Sequence, residues 1–379
     1  MKLLSLKYTS IVQNDLALEV NITPKASLIV IQNDWVLKAF ELNPKVNLIV
    51  AQNTTGKSKT IKTIAFISQL LRDWNSDDSF PLFELECVFQ QDEKNTLKYI
   101  VKTFLNQISI VEDTEIHFFE KLFLNEKLLL SRNNEEAELY SMVLEKFTKI
   151  APPKSKLVLH VRRDKAEYPF FEDLINWAQS TKLFEFSSIS PKLNKQIENN
   201  HIGKLLSKLS EKHHQSIIND LNSIGYKIES IKTIKWKDEY IVSIKERGIE
   251  NEITETQISQ GLIRALAVLV FIEYSFQYKD VTTILIDDLG EGLDYERATK
   301  LGKLLVEKLE NSNIQFIATT NDSFLMDVIP IKYWNILERE GNTVKSYNYH
   351  NSKEAFDAFK MSGLSNFYLF SSDFLHQKL

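Results

Sequence analysis

Apolar and polar positions in the first fifty residues alternate in short runs that predict strands over 3–11, 16–20, 26–31 and 35–42. The all but polar-free run Val46-Asn47-Leu48-Ile49-Val50 follows. The period then changes. Ile61, Ile64, Ala65, Ile67, Leu70 and Leu71 recur at helical spacing and predict a helix over 59–74. From 83 to 130 the pattern is again that of strands, with Phe83-Glu84-Leu85-Glu86-Cys87-Val88-Phe89 alternating and further runs near 98–111 and 115–130. Residues 135–150 read as a helix stopped by Ala151-Pro152-Pro153, and 157–161 as a strand. Leu205, Leu206, Leu209, Ile217, Ile218 and Leu221 predict one helix over 201–223, about 30 Å long. Two hairpin strands (226–234, 240–244), a helix (260–276), a strand ending at Asp287, a helix (295–310) and a strand (314–320) come next. A hairpin around Glu340-Gly341-Asn342 and two short helices complete the pattern. Strands and helices alternating around buried apolar runs imply a mixed α/β sheet. The chain divides into an N-terminal part (1–134), a helical or mixed insertion (135–250) and a C-terminal part (251–379).

The strand at 46–50 feeds Ala51-Gln52-Asn53-Thr54-Thr55-Gly56-Lys57-Ser58, and a helix follows directly. A tight turn there can aim successive backbone N–H groups at phosphate oxygens, and the helix adds its positive N-terminal end. Asn53, Thr54, Thr55, Gly56, Lys57, Ser58, Lys59 and Thr60 form the expected cradle. Lys57 would reach the β- and γ-phosphates, and Ser58 would ligate Mg²⁺. Ala51 stands where such loops usually carry glycine, and its methyl group is tolerable only if φ stays negative. Far downstream, Thr283-Ile284-Leu285-Ile286-Asp287-Asp288 reads as a buried strand that delivers carboxylates to a metal. The two segments together imply binding, and hydrolysis, of a nucleoside triphosphate.

Between them Ile258-Ser259-Gln260-Gly261-Leu262-Ile263-Arg264 opens a strongly apolar helix, a second helix start suited to phosphate. Gly292-Leu293-Asp294 and Ala318-Thr319-Thr320-Asn321-Asp322 follow the carboxylates. In this order and spacing, the set resembles the ABC-type ATPase heads of the SMC, RecF and OLD group, over 46–65 and 256–325. The resemblance implies a P-loop NTPase with an ABC-ATPase-like head: a mixed central sheet, an N-terminal antiparallel β-subdomain and a short helical insertion. By it, 259–264 is the signature segment, Asp287 the metal aspartate beside Ser58, 292–294 the D-loop and 319–321 the switch. ATP and Mg²⁺ are the implied cofactors. Two heads would pair head to tail, with ATP on Lys57 and Ser58 of one copy meeting Ser259 and Gly261 of the other, and with Arg264 and Asp294 also at the nucleotide.

Two positions depart from the group's pattern. Asp288 stands where glutamate usually orients the attacking water, with Glu291 as a nearby substitute. Asn321 stands where histidine usually contacts the γ-phosphate; an amide can donate there but carries no charge. Phosphoryl transfer depends on positioning and charge stabilisation, so the expectation is slow hydrolysis and a switch or clamp rather than a motor. Asp288, Lys57, Asn321 and Glu291 are the candidate catalytic residues. No sustained heptads lie between Lys57 and Ser259, so long coiled-coil arms are not expected. With only a short stretch after the last motif, the nuclease domain of OLD proteins is not expected. What remains is similar to the stand-alone heads of anti-phage systems, which act with a separately encoded effector, a nuclease or toxin. The alternatives are a RecF-like repair protein that binds DNA directly across the closed dimer, and a degenerate head that uses ATP as structural glue. Assembly beyond the dimer stays open.

Composition narrows this in a few places. With 379 residues, 43% hydrophobic and 26% charged, the chain has the composition of an ordinary globular protein. Its net charge of −5 supplies no global field for nucleic acid, though a local basic patch stays open. Cys87 is the single cysteine, so no internal disulfide forms and no thiolate metal cluster fits. No signal peptide and no run of eighteen apolar residues is present, so the expectation is no membrane span and a cytoplasmic location. Gln90 or Gln91 could be a metal-contacting glutamine or part of a solvated turn. His213-His214 reads as a solvated helix face. His160, Arg162 and Arg163 suit either phosphates or a charged strand end. Lys227, Lys232, Lys235 and Lys237 interleave with Ile228, Ile231 and Trp236 but are diluted by Glu229, Asp238 and Glu239. Phe367, Phe370 and Phe374 recur at helical spacing, as core or as a docking face.

Overall fold

The computed structural model describes residues 1–17, 27–73, 82–106, 115–154, 156–185, 202–237 and 239–371. In chain order the elements are β1 (Lys2–Ala17), β2 (Ser27–Glu41), β3 (Val46–Val50), α1 (Lys57–Arg72), β4 (Leu82–Gln90), β5 (Thr96–Asn106), β6 (Glu115–Leu124), β7 (Lys127–Asn133), β8 (Glu136–Ser141), β9 (Lys146–Ile150), α2 (Val158–Val161) and α3 (Pro169–Gln179). Then come β10 (Thr181–Glu185), α4 (Ile202–Leu206), α5 (Glu211–Ser223), β11 (Ile228–Trp236), β12 (Glu239–Glu246), β13 (Ile253–Thr254), α6 (Gln260–Tyr278), β14 (Thr283–Asp287), α7 (Tyr295–Glu310), β15 (Gln315–Thr320), α8 (Ser323–Val328), β16 (Trp334–Glu340), β17 (Thr343–Asn348), α9 (Lys353–Met361) and α10 (Asn366–Ser371). They form two compact units. The first holds the described residues of Met1–Pro44, Thr63–Gln179 and Leu337–Ser346, the second those of Lys45–Lys62, Ser180–Ile336 and Tyr347–Leu379.

The second unit carries the motifs. Its parallel strands run in the order β10-β14-β15-β3-β16. β3, β14 and β15 are almost wholly buried, as strands covered on both faces must be. β15 lies between β14 and β3, so the strand before Asn321 adjoins both the strand ending at Asp287 and the strand entering the phosphate loop. α6 is apolar enough by length and composition to cross a membrane, but 72% of that window is buried, which makes it the core helix of this unit.

The first unit is an antiparallel sheet, β2-β1-β4-β5-β6-β7-β8-β9, with a short parallel contact of β17 on β2. Several elements differ from the sequence reading here. The expected breaks at 12–15 and 32–34 are absent: β1 and β2 are long strands that absorb their irregularities as two bulges, and the break expected between 20 and 26 lies outside the described residues. The predicted helix over 135–150 is the hairpin β8–β9. Ala137, Leu139 and Ser141 are buried while Glu136 and Glu138 are exposed, a period of two, and the apolar triplet Met142-Val143-Leu144 lies in its exposed turn. The predicted strand over 157–161 is the single turn α2, whose Val158 N–H donates to the Glu120 carboxylate at 3.2 Å. In the second unit, the predicted helix over 201–223 breaks at 207–210 into α4 and α5, with the Gln277 side chain accepting from Ser210 N–H at 2.7 Å.

The Glu120 carboxylate anchors the first unit. Fully buried Arg132 donates to it at 2.7 Å, Tyr99 donates its hydroxyl to it, and the same guanidinium donates to the Asn134, Pro153 and Lys156 carbonyls. Burial pushes Glu120 above the usual carboxylate range, with Arg132 opposing. Breaking such a pair leaves a buried charge unpaired and costs about 3–5 kcal/mol, whereas replacing both partners with apolar groups can be near neutral. Arg132→Ala is therefore expected to lower the urea midpoint strongly. Arg132→Met with Glu120→Leu should recover most of the loss, and a single variant as stable as wild type would remove the pair from its anchoring role.

Candidate nucleotide-binding site

The phosphate loop follows β3 and turns at two left-handed residues, Thr54 (φ 68°) and Gly56 (φ 116°). Ala51 keeps a negative φ and is buried, so its methyl group is accommodated where glycine was the expectation. Thr55 and Thr60 are buried and Asn53, Thr54 and Lys59 exposed; the Thr60 hydroxyl donates to the Gly56 carbonyl at 2.9 Å and pins the first turn of α1. Lys57 folds back over the loop, its Nζ donating to the carbonyls of Ala51 (2.7 Å) and Gln52 (3.3 Å). Burial lowers its pKa, while Asp288 and Asp287 oppose that shift.

The carboxylates meet this loop through hydroxyls. Ser58 Oγ donates to Asp287 Oδ1 at 3.1 Å, and Thr319 Oγ1 donates to the same oxygen at 2.6 Å. Thr319 Oγ1 also accepts from the Asp288 N–H at 2.8 Å. One hydroxyl at the end of β15 thus fixes both acidic residues at the end of β14. Sequence reasoning placed Thr319 in the switch segment without giving it this role; the only available signal was a hydroxyl residue at the end of the strand before Asn321. Asp288 itself is left-handed (φ 58°), a conformation aspartate tolerates better than most residues, and its Oδ1 accepts from Asn321 Nδ2 at 3.3 Å. Burial raises the Asp288 pKa, the charges of Asp287 and Glu291 raise it further, and Lys57 and Arg264 oppose. Asp288 and Asn321 are thus in contact, and the charges of Asp288 and Asp287 act on Lys57.

The signature and D-loop residues form a neighbouring group. Ser259 caps α6, its Oγ accepting from Leu262 N–H at 3.3 Å. Gly261 packs so closely on the next segment that a Cβ there would lie 2.5 Å from the Gly292 carbonyl oxygen. Arg264 donates to the Glu291 carbonyl at 2.8 Å and pairs with its carboxylate at 2.6 Å. Asp294 caps α7 by accepting from Arg297 N–H at 3.0 Å and pairs with the Arg297 guanidinium at 2.5 Å. Glu291 is thus engaged by Arg264, and Asp294 by its own helix.

The remaining candidates separate by their partners. Gln91 donates to Asp173 at 2.5 Å, and Arg163 donates twice to Glu172 at 2.9 Å. His160 Nε2 lies 3.3 Å from the Leu71 carbonyl. The histidine pair is not a solvated face. His213 Nδ1 is 2.6 Å from Glu273, His214 Nε2 is 2.9 Å from the Leu206 carbonyl, and Lys308 joins Glu273 to Asp220 with two contacts of 2.6 Å. Lys232 pairs with Glu252, and Trp236 is exposed. Phe367 and Phe370 pack on the core of the second unit, and Phe374 and Asp238 lie outside the described residues.

The residues fit the implied cofactors. Ser58 Oγ and Asp287 Oδ1 are oxygen donors 3.1 Å apart, the kind of pair that holds Mg²⁺ when phosphates and water complete its shell. Lys57 and the loop amides suit the phosphates.

No family model and no curated protein matches this chain. Solved structures do. An SMC head bound to the C-terminal winged-helix domain of ScpA is 12% identical and covers 93% of this chain and 100% of its own, with a TM-score of 0.52. The SMC head domain of Thermotoga maritima is 12% identical, with 92% and 99% covered and a TM-score of 0.45. An Smc head with an extended coiled coil, bound to the C-terminal domain of ScpA from Pyrococcus furiosus, is 11% identical, with 95% and 99% covered and a TM-score of 0.48. The fold is the α/β P-loop ATPase-like fold of SMC heads.

A carboxylate whose pKa is raised on folding carries no stability penalty below its unfolded pKa, about 3.9, and the full penalty above its folded value. Asp288→Asn, which also suits the left-handed backbone, is therefore expected to raise the thermal midpoint at pH 7 and leave it unchanged near pH 3. A gain of equal size at both pH values would assign the effect to the backbone instead.

Proposed function

We propose that this protein binds Mg·ATP between the phosphate loop and the Asp287–Asp288 strand end, hydrolyses it slowly, and pairs head to tail with a second copy as an ATP-gated switch or clamp. The observation that carries this reading is the single carboxylate oxygen of Asp287 that accepts from both Ser58 and Thr319. When bound, Mg²⁺ would neutralise charge on the terminal phosphates. Lys57 would exchange the carbonyls of Ala51 and Gln52 for phosphate oxygens, and Asp288, held by Asn321, would orient the attacking water. Ser259 and Gly261 would serve the nucleotide of the second copy, because within one copy Ser259 caps its own helix and Gly261 packs on Gly292. Tyr295 and Phe324 support the pairing. They stand at the first turns of α7 and α8, directly after Asp294 and close after Asn321. Their rings are in contact at 5.0 Å, and they are 64% and 39% exposed, a pairing typical of interface anchors.

A neighbouring SMC head structure has ScpA bound to it, and by analogy this head would pass its state to a separately encoded effector, in anti-phage defence or DNA surveillance. A second reading, ATP binding without turnover, is favoured by one observation: the Asn321 amide is engaged with Asp288, where a charged group would favour hydrolysis.

Phosphate release with Mg·ATP and molar mass by light scattering separate these readings. Slow release is expected from wild type, with Lys57→Ala and Asp287→Ala lowering it by roughly a hundredfold or more. A doubling of mass with ATP is expected, and Tyr295→Ala with Phe324→Ala should abolish it without abolishing ATP binding. Tight binding and dimerisation with no release from wild type would make the protein a clamp without chemistry of its own.

A further inference from the structure

The outward face of the first unit's antiparallel sheet has an unusual composition. In β5, Leu97, Tyr99, Val101 and Thr103 are buried, and in β6 so are Phe118, Glu120 and Leu122. The opposite positions lie on the other face, half-buried except for exposed Phe104, and the register pairs them as Lys98 with Phe123, Ile100 with Lys121, Lys102 with Phe119 and Phe104 with His117. Four successive outward pairs each set an apolar side chain against a nitrogen base. Antiparallel sheets with one solvated face normally carry polar groups there. Here Phe104 and, further along the sheet, Phe147 are 42% and 43% exposed.

The aromatic and cationic groups are also ordered relative to one another. The Phe104 and His117 rings are 5.6 Å apart, and Tyr140 and Phe147 5.3 Å. Lys121 Nζ lies 5.1 Å from the Phe119 ring centre, and Lys127 Nζ 3.9 Å from that of Tyr140. Lys98 and Lys102 pair with Glu86 and Glu84, but Lys121 and Lys127 form no ion pair among the described residues. Along one strand, outward side chains recur every two residues, about 6.6–6.8 Å. Rings and unneutralised cations at that interval suit a polymer that alternates planar rings with anions. A duplex hides its base faces, and an acidic protein surface offers no series of rings.

We propose that this face binds single-stranded nucleic acid, with bases stacked on Phe119, Phe123 and Phe147 and phosphates on Lys121 and Lys127. The site lies wholly within the first unit and does not depend on the proposed ATPase.

The test is fluorescence anisotropy of the full chain with labelled dT20 and U20, without nucleotide, across a salt series. Both oligonucleotides bind, or one does, which assigns DNA or RNA. Phe119→Ala weakens binding about tenfold, in line with the loss of one stacked base. Because removing the half-buried Phe119 ring could also disturb the sheet, a second variant, Lys121→Gln with Lys127→Gln, changes only lysines that form no ion pair among the described residues. It lowers the slope of log affinity against log salt by roughly 1.4 in magnitude, two single-strand phosphate contacts. ATP binding, through Lys57, stays unchanged in both variants and reports that the chain is folded. The proposal is overturned by no binding of either oligonucleotide at 50 mM salt, by equal or tighter binding of a duplex or of polyglutamate, or by an unchanged salt slope in the lysine variant.

Discussion

One oxygen atom organises the nucleotide site. Asp287 Oδ1 accepts from Ser58 at the start of α1 and from Thr319 at the end of β15. These residues are 229 and 32 positions away in sequence. They can share an acceptor because β15 lies between β14 and β3, so the ends of three parallel strands converge. A hydrogen bond to a charged acceptor is worth roughly 1.5–3 kcal/mol, enough to matter locally but far too little to set the strand order. That order is set by burial: β3, β14 and β15 are apolar and closed off from water, and α6 covers their unit's core. The hydrophobic sheet thus fixes where the strand ends lie, and the polar contacts then fix which way the side chains point.

The same convergence explains why the acidic end is strained. After Asp287 the chain turns out of β14 through a left-handed Asp288, while its N–H is held by Thr319 Oγ1 and the next N–H, of Leu289, by the Thr319 carbonyl at 2.8 Å. Gly290 and Gly292 continue with positive φ. Gly290 has no room for a side chain: a Cβ would fall 2.2 Å from Leu325. The segment from Asp287 to Gly292 is thereby pressed on α8 at one end and on the start of α6 at the other, through Gly261 and the Arg264–Glu291 pair. Under the proposed function, this tight path gives the signature segment a mechanical connection to the water-orienting carboxylate of the same copy.

Much of this was legible in the sequence, for identifiable reasons. The phosphate loop, the Asp287 strand and α7 are local patterns: buried strands read as short apolar runs and helices as a 3.6 period, whereas the capping of α7 by Asp294 emerged only from the structure. The β8–β9 hairpin was not legible, because its exposed turn, Met142-Val143-Leu144, is as apolar as a core and filled out a false helical stripe. Nor was the break at 207–210 between α4 and α5, which depends on a distant partner, the Gln277 side chain. The buried Glu120–Arg132 pair is likewise invisible in sequence, where both residues read as surface charges. In β5 both alternating sets carry apolar residues, three of four in Leu97-Tyr99-Val101-Thr103 and two of four in Lys98-Ile100-Lys102-Phe104, and packing places the first against the core.

The two departures from the ABC-type pattern are best understood together. A carboxylate one methylene shorter than glutamate reaches less far from the backbone, and Asp288 is further restricted by its left-handed φ. Its position then depends on what holds it. A histidine at 321 could bring a positive charge, with two donors that point to opposite sides of its ring. The asparagine amide has two N–H donors on one nitrogen. One of them reaches Asp288 Oδ1, which leaves the other for a phosphate oxygen. Under the proposed function, the pair Asp288–Asn321 would position the attacking water and the terminal phosphate while giving up a charge. On that reading, positioning without the charge would preserve the response to bound nucleotide better than the rate, which is the physical basis for proposing a switch rather than a motor.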